Sequence, residues 1–315
     1  MKNNPPAIIL MGPTAIGKTT LAIQLAQALN GEIISVDSAL VYRGMNIGTA
    51  KPDIQQRQGI PHHLIDILDP TESYSTAQFR DQALSLMQDI YARGKIPILV
   101  GGTMLYFKAL LEGLAKLPAA DAQIRQRLAE ELATGGKLAQ YQRLQQVDPQ
   151  AAARIHPNDP QRIHRALEVY ELCGQALSDL CQNSETPLPY RWLKFVLLPS
   201  DRTQLHQTIA KRFHQMLDQG LIEEAQSLYQ RGDLHPQLPS MRAVGYRQLW
   251  QYLAGDIDKN QMIETAIIAT RQLAKRQLTW LRQQADAQVL YDHHPNRFIS
   301  LLKYSKFQYP SVEML

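Results

Sequence analysis

Cysteine is almost missing: Cys173 and Cys181 are the only two in 315 residues. That excludes a disulfide-stapled scaffold and any four-cysteine zinc site. Reduced thiols in a cytoplasmic protein are the expectation. No apolar run approaches the ~20 residues that a membrane helix needs. The opening Met1–Pro6 lacks the long apolar stretch of a secretion signal, so none is expected. Charged residues, at 20%, are too few for a highly charged disordered chain, while apolar residues, at 44%, suffice for a sizeable core. The length suggests two domains, or one core with an insertion.

There is little net charge either. The balance is +4, from 33 Lys and Arg against 29 Asp and Glu. Residues 1–193 hold 18 basic and 18 acidic residues, whereas residues 194–315 hold 15 and 11 and carry the whole excess. A mild local positive bias is compatible with a polyanionic partner and is weak evidence alone.

What is present is a strand–loop–helix opening. Ala7–Met11 reads as a buried parallel strand. A helical pattern runs from Gly17 through Leu29, with Gly31 as its stop, and Glu32–Val36 reads as a second strand ending at Asp37. This βαβ start predicts a parallel sheet with helices on both faces. A helix is expected over 75–93, a strand over 96–100 closed by Gly101-Gly102-Thr103, and a helix over 103–112. Residues 118–190 are rich in Gln, Ala, Arg and Glu with helical spacing and read as a helical insertion. The expected organisation is therefore a first core part (1–117), the insertion (118–190) and a second, mostly helical core part (191–315). That last part contains a strand at 192–198, helices at 201–218, 221–231, 243–254 and 260–283, and a closing strand at 289–291.

Gly12-Pro13-Thr14-Ala15-Ile16-Gly17-Lys18-Thr19 fits G-x-x-x-x-G-K-[ST] at every fixed position. Glycines let backbone N–H groups curl around an anion, and the helix N-terminus adds partial positive charge. Lys18 supplies a full charge to phosphate oxygens, and the Thr19 hydroxyl suits Mg²⁺. The motif implies a di- or polyphosphate ligand without specifying ATP. A P-loop ATPase usually carries an apolar strand ending in Asp. Here the 96–100 strand ends in Gly101-Gly102-Thr103, and only the strand before Asp37 ends in Asp. The carboxyl ends of parallel strands line the ligand crevice, so Asp37 is expected beside Lys18 and Thr19. Spacing leaves three roles for Asp37 open: Mg²⁺ ligand, general base, or cap of the following turn.

With the loop stand Ser35-Val36-Asp37-Ser38, Val41 to Pro52 (VYRGMNIGTAKP), Pro61-His62-His63-Leu64-Ile65-Asp66, Val100 to Tyr106, Asp159 to Glu168, Ala243 to Gln248 and Thr270 to Gln277. This collinear set resembles the bacterial tRNA dimethylallyltransferase family over about residues 7–283. The resemblance implies a P-loop NTPase-like α/β core with an all-helical insertion. It implies transfer of a dimethylallyl group from dimethylallyl diphosphate to N6 of the adenosine 3′ of the anticodon in tRNA, with Mg²⁺ as cofactor. A cytoplasmic monomer is expected.

By that resemblance, the catalytic residues are Asp37 as general base, Arg212 as diphosphate clamp, and Thr14. Gly12 to Thr19 bind the diphosphate, with Thr19 on the metal. Asp37, Ser38, Ala39 and Leu40 border the target adenosine, and Thr103 and Arg125 contact the RNA around it. Gln161, Arg162, Ile163, His164 and Arg165 grip the anticodon arm, as do Arg242, Ala243, Val244, Gly245, Tyr246 and Arg247. Arg271, Lys275 and Arg276 track phosphates. Arg162 and Arg165 share a helix face by spacing, and Arg271, Lys275 and Arg282 form another row.

The sequence departs from the family in having Ala39 and Leu40 where many members place Gln. No Cys follows Cys181, so the zinc finger of eukaryotic relatives is not expected. Residues 304–315 match nothing useful. His62-His63 beside Asp66 has no common zinc spacing and is read as loop hydrogen bonding. Trp250 and Trp280 are read as core. A small-molecule kinase and a nucleotide-controlled RNA-binding switch are the rival functions.

Overall fold

The computed structural model describes residues 4–115, 117–181, 188–292 and 301. Two compact units emerge, one made of residues 1–108 with 189–315, the other of residues 109–188.

The first unit is built on a six-stranded parallel sheet. Its strands are β1 (Pro6–Met11), β2 (Gly31–Val36), β3 (His62–His63), β4 (Ile96–Gly101), β5 (Arg191–Leu198) and β6 (Gln288–Tyr291), in the order β3-β2-β4-β1-β5-β6. β1 lies at the centre, with Ile8 beside Ile98 of β4 and Leu193 of β5. Both its faces are covered, which explains its unbroken apolar run. Ile8, Ile9 and Leu10 are fully buried. The chain leaves β1 toward β2 on one side and later returns to β5 on the other. β1 is therefore the switch point, where α/β folds open a crevice at the strands' carboxyl ends.

α1 (Lys18–Ala28) follows β1 directly. Gly31 is not its stop: Asn30 takes the left-handed turn (φ 49°) and Gly31 begins β2. A Cβ at Gly31 would lie 2.6 Å from the Ile98 side chain, so the glycine serves strand packing. α2 (Thr76–Ala92) starts at a capping box formed by Ser75 and Gln78, and α3 (Met104–Glu112) follows β4. β3 was not foreseen, because two residues carry no alternation to read.

The second unit, among its described residues, is helical: α4 (Ala122–Val147), α5 (Pro149–Arg154), α6 (Pro160–Cys173) and α7 (Leu177–Leu180). α4 is broken at Gly136, whose φ of 75° no helix accommodates. Leu128, Leu144, Ile163 and Leu167 form its core. Asp148 accepts from the N–H groups of Ala151 and Ser178 and from the Ser178 hydroxyl, joining α5 to α7.

The rest of the first unit is α8 (Arg202–Asp218), α9 (Leu221–Tyr229), α10 (Tyr246–Leu253) and α11 (Lys259–Leu281). Phe213, Leu221, Leu249, Met262 and Ala266 pack these four together. Among the described residues, no helix is long and apolar enough to cross a membrane.

Candidate active site

The loop between β1 and α1 is shaped for an anion. Ala15 (φ 64°) and Gly17 (φ 89°) both adopt the left-handed conformation, which turns successive N–H groups inward. A non-glycine residue there costs energy, and such strain clusters at functional sites. α1 begins with no side-chain cap and no acidic residue in its first turn. Its first N–H groups and dipole are thus left for a ligand.

Lys18 Nζ donates to the Pro13 carbonyl at 2.8 Å. Burial pushes its pKa down to about 8; Asp37 opposes that shift and Arg212 adds to it. Arg212, on α8, is half-buried; desolvation lowers its pKa, and the Asp37 carboxylate partly offsets this. The three charges thus lie in one another's field, although α8 is far from the loop in sequence. Among the described residues Arg212 has no ion-pair partner. The cradle therefore holds two cations and one carboxylate, a net positive charge suited to an anion.

Asp37 follows β2. Its Oδ1 accepts from the N–H groups of Ala39 (2.8 Å) and Leu40 (3.3 Å). Among the described residues its other oxygen has no partner. One oxygen therefore caps the turn, while the second faces no protein donor, so capping and base roles are compatible. The Ser38 N–H donates to Thr103 Oγ1 at 3.1 Å, and the Thr103 N–H donates to the Val36 carbonyl at 3.2 Å. The Gly101-Gly102-Thr103 turn thus clasps the end of β2.

Both glycines of that turn are demanded by close approach. A Cβ on Gly101 would lie 2.0 Å from the Val36 carbonyl oxygen, and one on Gly102 would lie 2.4 Å from Nε2 of Gln277. Gln277, on α11, accepts from the Thr14 N–H through Oε1 and donates to the Gly102 carbonyl through Nε2, both at 2.9 Å.

Glu224, on α9, was also missed. Its carboxylate accepts from the N–H groups of Asn46, Ile47 and Gly48 (2.8–3.0 Å) and from the Tyr246 hydroxyl. It thereby ties together the segments that contain Val41–Pro52 and Ala243–Gln248. Gln277 was detectable: it interrupts the apolar stripe Ala274, Leu278, Leu281 with a buried amide. Glu224 carried no such signal, since an acidic residue in a helix's first turn is ordinary.

The remaining candidates divide. Arg242, Arg247, Lys275 and Arg276 are exposed and make no ion pair among the described residues. Ala243 and Val244 are half-buried beside them, and Gly245 is buried. Arg271 is half-buried, with its Nε unpartnered. Tyr246 is 2% exposed and bonded to Glu224, so its ring belongs to the core rather than to an RNA-facing surface.

In the helical unit, Ile163 is 1% exposed in that unit's core. Arg162 pairs with Asp159, and His164 Nε2 lies 2.6 Å from Gln140 Oε1. Arg125 and Arg165 both bind the buried Glu168 carboxylate. Arg162 and Arg165 therefore do not form a free row. Only Gln161 and Arg162 project outward, while Arg125 keeps 56% of its side chain exposed beside its partner.

Elsewhere, His62 Nδ1 lies 2.8 Å from the Ile60 carbonyl and His63 Nε2 lies 2.7 Å from Glu32. Among the described residues no cluster of three or more His, Cys, Asp and Glu could hold a metal. Thr19 is exposed on the first turn of α1 and its hydroxyl makes no hydrogen bond among the described residues. A hard oxygen donor beside a phosphate cradle fits Mg²⁺.

A parallel sheet with this loop at its switch point defines a P-loop α/β protein. The chain belongs to the IPP transferase family, whose model matches residues 40–284. It is 60% identical over 284 residues to a tRNA dimethylallyltransferase of Methylococcus capsulatus, covering 90% of this chain and 91% of that protein. Its fold is similar to a crystal structure of the full-length tRNA isopentenylpyrophosphate transferase of Bacillus halodurans, with a TM-score of 0.72, 37% identity and 98% of both chains covered. It is also similar to a eukaryotic dimethylallyltransferase acting on tRNA, with a TM-score of 0.82, 29% identity, and 96% of this chain and 79% of that one covered.

Proposed function

We propose that this chain transfers a dimethylallyl group from dimethylallyl diphosphate to N6 of the adenosine 3′ of the anticodon in tRNA. The C–O bond to diphosphate breaks and the C–N6 bond forms. The electron pair leaves with diphosphate, and the N6 proton goes to Asp37. An adenine amine is a weak nucleophile because its lone pair is delocalised, so a carboxylate that accepts its proton lowers the barrier. The leaving group needs its charge neutralised. The loop amides, Lys18, Arg212 and Thr14 do this, and Thr19 would hold a Mg²⁺ that supplies Lewis-acid neutralisation.

The target base must leave its stack to reach such a cavity. Ser38, Ala39, Leu40 and Thr103 border it, and the exposed Arg242, Arg247, Lys275 and Arg276 bind RNA phosphates. In the helical unit, Gln161 and Arg162 hold the anticodon arm and Arg125 contacts the RNA around the target base. The enzyme works as a cytoplasmic monomer.

The observation that carries this reading is Asp37: among the described residues one carboxylate oxygen has no protein donor, and the group lies in the field of Lys18 and Arg212. Asp37→Asn keeps the cap acceptor and removes the base. Turnover of a labelled prenyl donor should fall by about 10²–10⁴-fold, with tRNA affinity held. Unchanged turnover in that variant would reject Asp37 as the base.

A further inference from the structure

We infer that Gln277 is a positioning residue that holds the diphosphate loop in register with the turn supporting the general base. The inference rests on the roles given above to the loop and to Asp37. It adds a part that neither of those motifs contains.

The geometry forms a chain of contacts. The Gln277 amide spans from the Thr14 N–H to the Gly102 carbonyl, at 2.9 Å each. Thr103, the next residue, accepts from Ser38, which adjoins Asp37. One buried side chain, 9% exposed, thus connects the leaving-group side of the site to the base side. A helical position packed among Ala274, Leu278 and Leu281 would normally hold an apolar residue. A buried amide is tolerated when both its ends are bonded, as they are here. An amide offers an acceptor and a donor on one carbon at neutral pH, with no titration to disturb them. The spacing between donor carbon and acceptor nitrogen is what such a tie controls, and errors of about 1 Å there can cost ~10²-fold in rate.

Three variants test this. Gln277→Met keeps the length and removes both bonds. It should lower kcat by about 10–100-fold while leaving the KM for tRNA within about twofold. Gly102→Ala, whose Cβ would displace the amide, should lower kcat in the same way. Gln277→Glu carries the distinctive signature. Protonated, it accepts from Thr14 and donates to Gly102 as the amide does. Ionised, it has no proton for the Gly102 carbonyl and sets a negative charge beside the diphosphate. Burial raises its pKa, so its activity should be near wild type at low pH and fall as pH rises between about 5.5 and 8, where wild type does not fall.

Wild-type kcat in Gln277→Met, or a Gln277→Glu profile parallel to wild type, overturns the inference. If Gln277→Met does not fold, the Gln277→Glu profile decides. Failure of the underlying reading is distinct: it appears as Asp37→Asn retaining turnover, whatever Gln277 does.

Discussion

Lys18 Nζ rests on the carbonyl of Pro13, 2.8 Å away, so the loop's full positive charge is folded onto its own backbone. Burial holds its pKa at about 8, well under the ordinary lysine value of 10.5. An incoming diphosphate needs the protonated form. In the free protein that form dominates below pH 8 and is lost as pH rises through it. Affinity for Mg²⁺–diphosphate should therefore weaken above about pH 8, by up to about tenfold per pH unit. Calorimetric titration from pH 7 to 9.5 measures this, and Lys18→Met should bind weakly with no such dependence. A pH-independent wild type would contradict the assignment.

Arg212 is a half-buried cation without an ion-pair partner among the described residues. Such a charge costs folding energy, and its use lies in binding. Arg212→Met should leave the thermal midpoint of the free protein unchanged or raised. Turnover should fall by about 10²-fold or more. A variant that is both active and less stable would mark Arg212 as structural.

Glu224 gathers three backbone N–H groups and the Tyr246 hydroxyl. Glu224→Ala strands all four donors and should cost about 2–4 kcal/mol, seen as a lowered denaturant midpoint. Tyr246→Phe removes one donor and should cost about 1 kcal/mol. Equal effects of the two variants would refute the clamp.

Glu32, on β2, is surrounded by Lys95, His63 and Arg93. Burial opposes ionisation, yet these three partners outweigh it and hold the pKa at about 2, below the ordinary 4.5. A depressed carboxylate stabilises the fold above the unfolded-state value and loses that contribution as pH falls through the folded one. Wild type should lose stability between pH 4.5 and 2 more steeply than Glu32→Gln, and acid unfolding of both followed by circular dichroism shows whether it does.

The parts legible from sequence are those whose signals are local. β1, the glycine-rich loop, α1 and β2 are contiguous, so apolar runs and glycine positions specify them. Asp37 and Gly101-Gly102-Thr103 could be placed because strand ends in a parallel sheet face one crevice. Gln277 and Glu224 act on backbone atoms more than 170 residues away, and no periodicity reveals such a partner. Arg125 and Arg165 looked like free cations because Glu168, the carboxylate that binds both, is buried at 1% exposure only in the folded unit. Fixed ion pairing thus takes Arg165 out of the expected row with Arg162, while Arg125, also paired, keeps 56% of its side chain exposed.

The most direct test is product analysis. The purified protein, Mg²⁺, dimethylallyl diphosphate and an unmodified tRNA with adenosine 3′ of its anticodon are incubated, and the RNA is digested and read by mass spectrometry. The expected result is one dimethylallyl group on that adenosine, with diphosphate released in equal amount. Unmodified RNA, with ATP hydrolysed or its phosphate transferred instead, would contradict it.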